Sequence, residues 1–226
     1  MEFINSVEEQ IDSSAVQERP TVEIHPIPYH SYKRMMDILV STVALVLFSP
    51  IFLLVAIAIK LTSRGPLLFK QTRVGLGGRH FTCLKFRSMI VDADEMKAKL
   101  EHLNEATGPV FKIKNDPRMT SIGKFIRKAS LDELPQLWNV FVGDMSIVGP
   151  RPAVPNEVEK YKQREFGRLA VRPGITCIWQ ISGRSDLSFE EWMQLDLKYI
   201  ENMSFWGDIK IVWQTVPAVL TGRGAQ

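Results

Sequence analysis

The run Ser130-Leu-Asp-Glu-Leu-Pro-Gln136 sets two carboxylates side by side, and Gly149-Pro-Arg-Pro152 brings back an arginine nineteen residues after Asp132. Paired acids followed by a proline and an apolar run read as the start of a helix, and Ser130-x-x-Glu133 has the spacing of a capping box. Pro135 is tolerated in a first helical turn, which does not need the N–H that proline lacks. A helix start also presents unpaired N–H groups and a partial positive charge, so it can receive a phosphate. Arg127 stands shortly before it. Arg151 is held between Pro150 and Pro152, which restrict the backbone on both sides and reduce the entropy lost when a guanidinium meets a phosphate. A carboxylate near such cations is expected to stay ionised at neutral pH, and an ionised carboxylate can attack phosphorus.

Taken singly, these residues allow plainer readings, with Glu133 as a helix cap and Arg151 as a turn residue. The convergence of Asp132, Glu133, Pro135 and Arg127 on one helix start favours phosphate chemistry. An anionic nucleophile approaching an anionic phosphate needs positive charge around the non-bridging oxygens. Mg²⁺, or Mn²⁺ in its place, suits an oxygen-only site completed by phosphates, and Glu133 with Asp132 is expected to hold it. Neighbouring helical side chains diverge by about 100°, yet in a first turn both can reach one phosphate-sized ligand.

Further runs surround this pair: Phe81-Thr-Cys-Leu-Lys-Phe-Arg-Ser-Met89, Asn115-Asp-Pro-Arg118, Ser130 to Val140, Gly143 to Pro152, Arg172-Pro-Gly-Ile-Thr176 and Trp179-Gln-Ile-Ser-Gly-Arg184. In unbroken order from about Tyr32 onward, this set resembles the bacterial sugar transferases, the monotopic polyprenyl-phosphate phosphoglycosyl transferases. With no multi-span membrane region ahead of it, the chain is similar to the short members, which include hexose-1-phosphate transferases that start exopolysaccharide synthesis. The resemblance implies Asp132 as nucleophile and Glu133 as a metal-binding or substrate-positioning acid. It offers Lys85, Arg87, Arg127, Arg151 and Arg184 as phosphate ligands, although each alone would pass for a surface charge. The Arg172-Pro-Gly174 turn and Asp208 are placed by the same likeness without a separable role.

The implied reaction moves a sugar-1-phosphate, galactose or glucose being favoured, from a UDP-sugar to undecaprenyl phosphate by a ping-pong route through phospho-Asp132. UMP and an undecaprenyl-diphospho-sugar are the expected products, formed at the cytoplasmic face of the bacterial inner (plasma) membrane. Membrane lipid, further copies of the chain and downstream glycosyltransferases are the expected partners, and nucleic acid is not. Two other readings stand beside this one: a membrane-bound phosphohydrolase using Asp132, and a non-catalytic lipid-binding scaffold.

The elements that must position this chemistry fit in 226 residues, 45% of them hydrophobic, enough for one domain and appendages. Residues 1–30 hold six acids against Arg19, a net −5 that leaves +8 on the rest of a chain whose total is +3. That first stretch reads as a disordered acidic tail. The basic remainder suits an anionic lipid surface and phosphorylated substrates. Cys83 and Cys177 have no metal-ligand or Cys-x-x-Cys spacing and read as small buried residues.

Residues 31–64 form the membrane element. Ile38 to Ile59 carries no charge and is long enough to cross a bilayer. Lys33 and Arg34 at one end, with Lys60 and Arg64 at the other, ask instead that both ends stay on the cytoplasmic side. Pro50 breaks the ladder near the middle and Ser49 can take up a freed carbonyl, so a re-entrant helix broken at Ser49-Pro50 is expected, with a kinked crossing helix as the alternative.

Residues 65–226 read as an α/β catalytic domain, mostly helical with a small β-hairpin around Gly75-Leu-Gly-Gly78. Helices are expected over Ile90–Asn104, Ser121–Lys128, Asp132–Phe141, Pro155–Gly167, Phe189–Asn202 and Ile209–Leu220. Trp192, Phe205, Trp206 and Trp213 read either as interfacial membrane contacts or as core.

Overall fold

The computed structural model describes residues 27–105, 111, 113, 115–182 and 188–220. Nearly all of the acidic tail expected over residues 1–30 lies outside the described residues. Helices α1 (Ile27–Leu47) and α2 (Ser49–Thr62) meet at 58°. The bend falls where the sequence predicts it. Pro50 has no N–H to offer the preceding turn, and the Ser49 hydroxyl donates to the Val46 carbonyl at 2.8 Å in its place. No single described helix is long and apolar enough to cross a membrane, whereas the bent pair together is.

Lys33 and Arg34 do more than flank this segment. Lys33 is buried against Asp208, and Arg34 donates to the carbonyls of Val140 and Phe141 at 2.6 and 2.7 Å. Asp37 is also buried, accepting from the Ser146 hydroxyl and the Ile147 N–H, each at 2.9 Å. The first turns of α1 are therefore riveted to the rest of the domain, while Leu39, Val46, Leu47, Leu53, Leu54 and Leu61 remain exposed.

Strands β1 (Leu68–Val74) and β2 (His80–Phe86) form the expected antiparallel hairpin, registered Leu68 to Phe86 and Val74 to His80. Its turn uses left-handed backbone at Gly77 and Gly78, with φ of 64° and 78°, which glycine adopts without a Cβ penalty. Directly paired residues share a face, so Gln71, Arg73, Cys83 and Lys85 project to the same side.

The helix expected over Ile90–Asn104 is shorter. Met89 bridges Met119 and the Ile90 N–H donates to the Arg118 carbonyl, so the chain enters α3 (Ala93–Lys97) only afterwards and continues as a 3₁₀ segment, Ala98–Leu103. Helix α4 (Ser121–Lys128) has the predicted bounds, with the Thr120 side chain accepting from the Gly123 N–H. Then come α5 (Gln136–Val142), β3 (Ser146–Val148), α6 (Pro155–Val158), a 3₁₀ segment Gln163–Ala170, β4 (Gly174–Thr176), α7 (Ile178–Ser182), α8 (Phe189–Glu201) and α9 (Phe205–Leu220). The single helix expected over Pro155–Gly167 thus divides in two, and the last helix begins one turn before Ile209.

Strands β3 and β4, absent from the sequence reading, run parallel with Ser146 opposite Gly174 and Val148 opposite Thr176. A Cβ on Gly174 would lie 2.1 Å from the Gly149 nitrogen, so this contact admits no side chain. The main core joins β2, α5, β3, α8 and α9 through Cys83, Val140, Met145, Val148, Tyr199 and Ile200. A second cluster packs Val55 and Ile59 of α2 on Phe86 and Ile126.

Candidate active site

Asp132 and Glu133 lie in a 3₁₀ turn, Leu131–Glu133, rather than in a helix. Ser130 before it takes left-handed backbone, φ 55°, the only non-glycine residue to do so among the described residues. The predicted capping box is not formed: the Ser130 side chain caps nothing, and Glu133 reaches outward to Lys85. Helix α5 starts only at Gln136 and runs seven residues, so its dipole cannot supply the field attributed to a helix start. That field comes from side chains instead.

Lys85, projecting from β2, pairs with Glu133 at 2.6 Å. Arg151 lines the same cleft as Lys85 and Glu133, together with Arg73, Gln136, Gln180, Pro152 and Ile175. Arg127, half-buried at the end of α4, adds positive potential at both acids and donates to the Met119 sulfur at 3.2 Å.

The two carboxyls respond in opposite directions. Burial, then the charge of Glu133, raise the Asp132 pKa to about 6 against the pull of Lys85 and Arg127. Burial opposes ionisation of Glu133 as well, but there Lys85, Arg151 and Arg127 prevail and the pKa is lowered. Asp132 is therefore not the strongly ionised acid that the sequence suggests; desolvation outweighs its cations. It is still largely anionic at pH 7, and more basic than an ordinary carboxylate.

The Arg151 segment is fixed at each residue. Gly174 N–H donates to the Pro150 carbonyl at 2.8 Å, Arg168 to the Arg151 carbonyl at 3.0 Å, and Arg73 to the Pro152 carbonyl at 2.7 Å. The Arg151 side chain lies 3.6 Å from buried Glu157, while Arg168 pairs with buried Asp196 at 2.6 Å. Burial, then Arg151, lower the Arg73 pKa to about 10, which leaves its guanidinium charged at neutral pH.

The structure thus gathers Lys85, Arg127, Asp132, Glu133 and Arg151. Arg87 goes elsewhere: it is buried and donates to Ser63 and to the Arg64 carbonyl, holding the end of α2. Arg184 lies outside the described residues. Asp208 serves the fold, accepting from Lys33 and from the Tyr199 hydroxyl. Trp192 stacks on Trp179 at 4.6 Å, whereas Trp206 and Trp213 are 76% and 78% exposed. Both cysteines are buried, as expected.

Arg73, Gln136, Gln180, Arg168 and Asp196 escaped the sequence reading. Hairpin register would have found Arg73, two residues beyond Gln71, which pairs with Cys83. Asp196 sits on the stripe Met193, Asp196, Tyr199, Ile200, where a lone carboxylate among buried residues signals a buried partner.

The family described as "Bacterial sugar transferase" matches residues 28–222. The galactosyl transferase CpsE of Streptococcus agalactiae serotype III (strain NEM316) is 47% identical over 195 residues, covering 86% of this chain and 43% of its own length. The exopolysaccharide production protein ExoY of Rhizobium meliloti (strain 1021) is 44% identical over 197 residues, covering 85% of this chain and 87% of its own. A UDP-glucose:undecaprenyl-phosphate glucose-1-phosphate transferase of Klebsiella pneumoniae is 44% identical over 193 residues. It matches 82% of this chain and 39% of its own length, so the chain spans less than half of two of these relatives and most of the third.

Proposed function

The chain belongs to the bacterial sugar transferases, and on that premise we propose that it transfers a hexose-1-phosphate, galactose or glucose, from a UDP-sugar to undecaprenyl phosphate, giving undecaprenyl-diphospho-sugar and UMP. One observation carries this reading. Two adjacent acids are driven apart in pKa, with Asp132 raised and Glu133 held anionic by Lys85, beside a cleft that Arg151 and Arg73 also line. Divergent neighbours of this kind divide the labour between nucleophile and charge-holding group.

An Asp132 carboxylate oxygen forms a bond to the β-phosphorus of the donor as the bond from that phosphorus to the α–β bridging oxygen breaks. UMP leaves with the electron pair. A phosphate oxygen of the lipid then attacks the same phosphorus and Asp132 departs as carboxylate. Arg151, Arg73 and Lys85 spread the charge on the non-bridging oxygens, and burial of Asp132 excludes water that would hydrolyse the acyl phosphate.

Asp132 and Glu133 would hold Mg²⁺, or Mn²⁺, as adjacent hard oxygen donors, with substrate phosphates completing the shell because the described residues offer no larger acidic cluster. When bound, the ion would neutralise developing charge on phosphate oxygens. The bent pair α1–α2 dips its exposed leucines into the cytoplasmic leaflet, and Trp206 and Trp213 lie at headgroup depth; both placements are supported by exposure and by the 58° bend.

The test is UMP release in nanodiscs with Mg²⁺ and a panel of UDP-sugars, with and without undecaprenyl phosphate. Continuous, lipid-dependent release from one hexose donor, lost in Asp132→Asn, is the expected result. Steady release without lipid would make the protein a phosphohydrolase, and none from any donor would favour a lipid-binding scaffold.

A further inference from the structure

Two carboxamides follow the acid pair on α5, and they are used differently. Asn139 is fully engaged: its oxygen accepts from the Leu84 N–H at 3.0 Å, and its nitrogen donates to the Thr82 carbonyl at 2.7 Å and to Asp144 at 3.3 Å. Gln136, one turn earlier, is 3% exposed, yet its carboxamide has no hydrogen-bond partner among the described residues and is not sealed off from the cleft. Buried amides in folded proteins are almost always bonded, and an exception calls for a reason.

The surroundings supply one. Gln136 opens the helix that follows the acid turn, and it lines the cleft with Glu133, Lys85, Arg73 and Arg151. The other polar side chains there have protein partners: Lys85 with Glu133, Arg73 with the Pro152 carbonyl, Arg151 with Glu157, and Gln180 with the Cys177 N–H. Among the described residues of this lining, Gln136 is the polar side chain with no protein hydrogen bond or ion pair, although Arg73 also leaves its Nε unpaired.

We infer that Gln136 is a substrate-binding residue whose carboxamide N–H donates to a non-bridging oxygen of the phosphoryl group transferred through Asp132. This rests on the phosphoryl-transfer reading above. A neutral donor suits the place. It binds an anionic oxygen without drawing Lys85 from Glu133, and adds no charge that would lower the basicity of the neighbouring Asp132.

The decisive variant is Gln136→Met, which keeps the side chain's length and removes only its polarity. A group that binds nothing in the protein should be replaceable by an apolar isostere without loss of stability. In nanodiscs with Mg²⁺, UDP-glucose or UDP-galactose and undecaprenyl phosphate, kcat/KM for UMP release should fall about 100-fold, the scale of a lost phosphoryl-oxygen donor. The melting temperature should stay level or rise. A melting temperature lowered by more than about 3 °C would assign Gln136 to the fold and overturn the inference. So would a kcat/KM within about threefold of the parent, because a transition-state hydrogen bond is worth more than that. Gln136→Glu, of the same shape, should be at least as impaired through repulsion of the phosphate. An unmutated protein silent with every donor would instead sink the transfer reading itself, and the inference with it.

Discussion

Replacing Asp132 should make the protein more stable. The Asp132 carboxyl titrates at about 6 against an ordinary 3.8, so at about 1.4 kcal/mol per pH unit its ionisation within the fold costs about 3 kcal/mol. Between those two values the folded chain keeps a proton that the unfolded chain has released. Stability from this group is therefore full below about pH 4, declines as pH rises, and is lost above about pH 6. Asparagine titrates nowhere in this range. Asp132→Asn should thus gain about 3 kcal/mol at pH 7.5, and only about 1 kcal/mol at pH 4.5, by the same linkage. For a chain of this size that is about 6 to 12 °C in melting temperature at pH 7.5. The assay is thermal unfolding of both proteins in metal-free nanodiscs at the two pH values, with UMP release measured in parallel. The variant should melt higher, by a margin that narrows in acid, and release no UMP. An equal or lower melting temperature at pH 7.5, or a margin indifferent to pH, would refute the argument that burial raises this carboxyl.

Activity should follow the same ionisation, with kcat/KM for UMP release rising through about pH 6 as Asp132 loses its proton. Lys85→Met removes a cation that lowers both acids, so the midpoint should move upward by about one pH unit or more, read from a pH–rate profile; an unmoved midpoint would separate Lys85 from Asp132. Gly174→Ala drives a Cβ to 2.1 Å from the Gly149 nitrogen, where only backbone movement relieves the clash, and should cost about 3 kcal/mol or more together with the Arg151 segment; denaturant unfolding and UMP release should both report it. Chelation by EDTA should abolish UMP release and added Mg²⁺ or Mn²⁺ restore it, with release persisting in EDTA as the contrary result.

Much of this could be read in the chain because local chemistry decides it. Ser49-Pro50 breaks a helix wherever it stands in one, the glycines at 77 and 78 supply a turn that few other residues allow, and Thr120 caps α4 directly. Glu133 of the adjacent acids and the proline-bracketed Arg151, both singled out by local chemistry, do line one cleft. What failed depended on contacts between distant segments. The capping box at Ser130 gave way because Lys85, 48 residues from Glu133, claims that carboxylate. Arg87, two residues from Lys85 on the same run, is drawn off to hold the end of α2. Strands of three residues, such as β3 and β4, are too short to show alternation, and exist because Gly149 and Gly174 let two backbones touch. Gln136 gave no signal of its own, since an amide on a helix is informative only once its lack of partners is seen.

The pairing of Lys33 with Asp208 joins groups 175 residues apart. A ribosome adding about 5–20 residues per second takes about 9–35 s to travel from one to the other. Throughout that interval Lys33 is without its partner, whereas Arg34 and Asp37 can be fastened as soon as residues 140–147 are made. The Lys33 pair is therefore the last of the three fastenings of α1 to become available. A chain arrested before Asp208 would carry a lysine built for burial without its counter-charge.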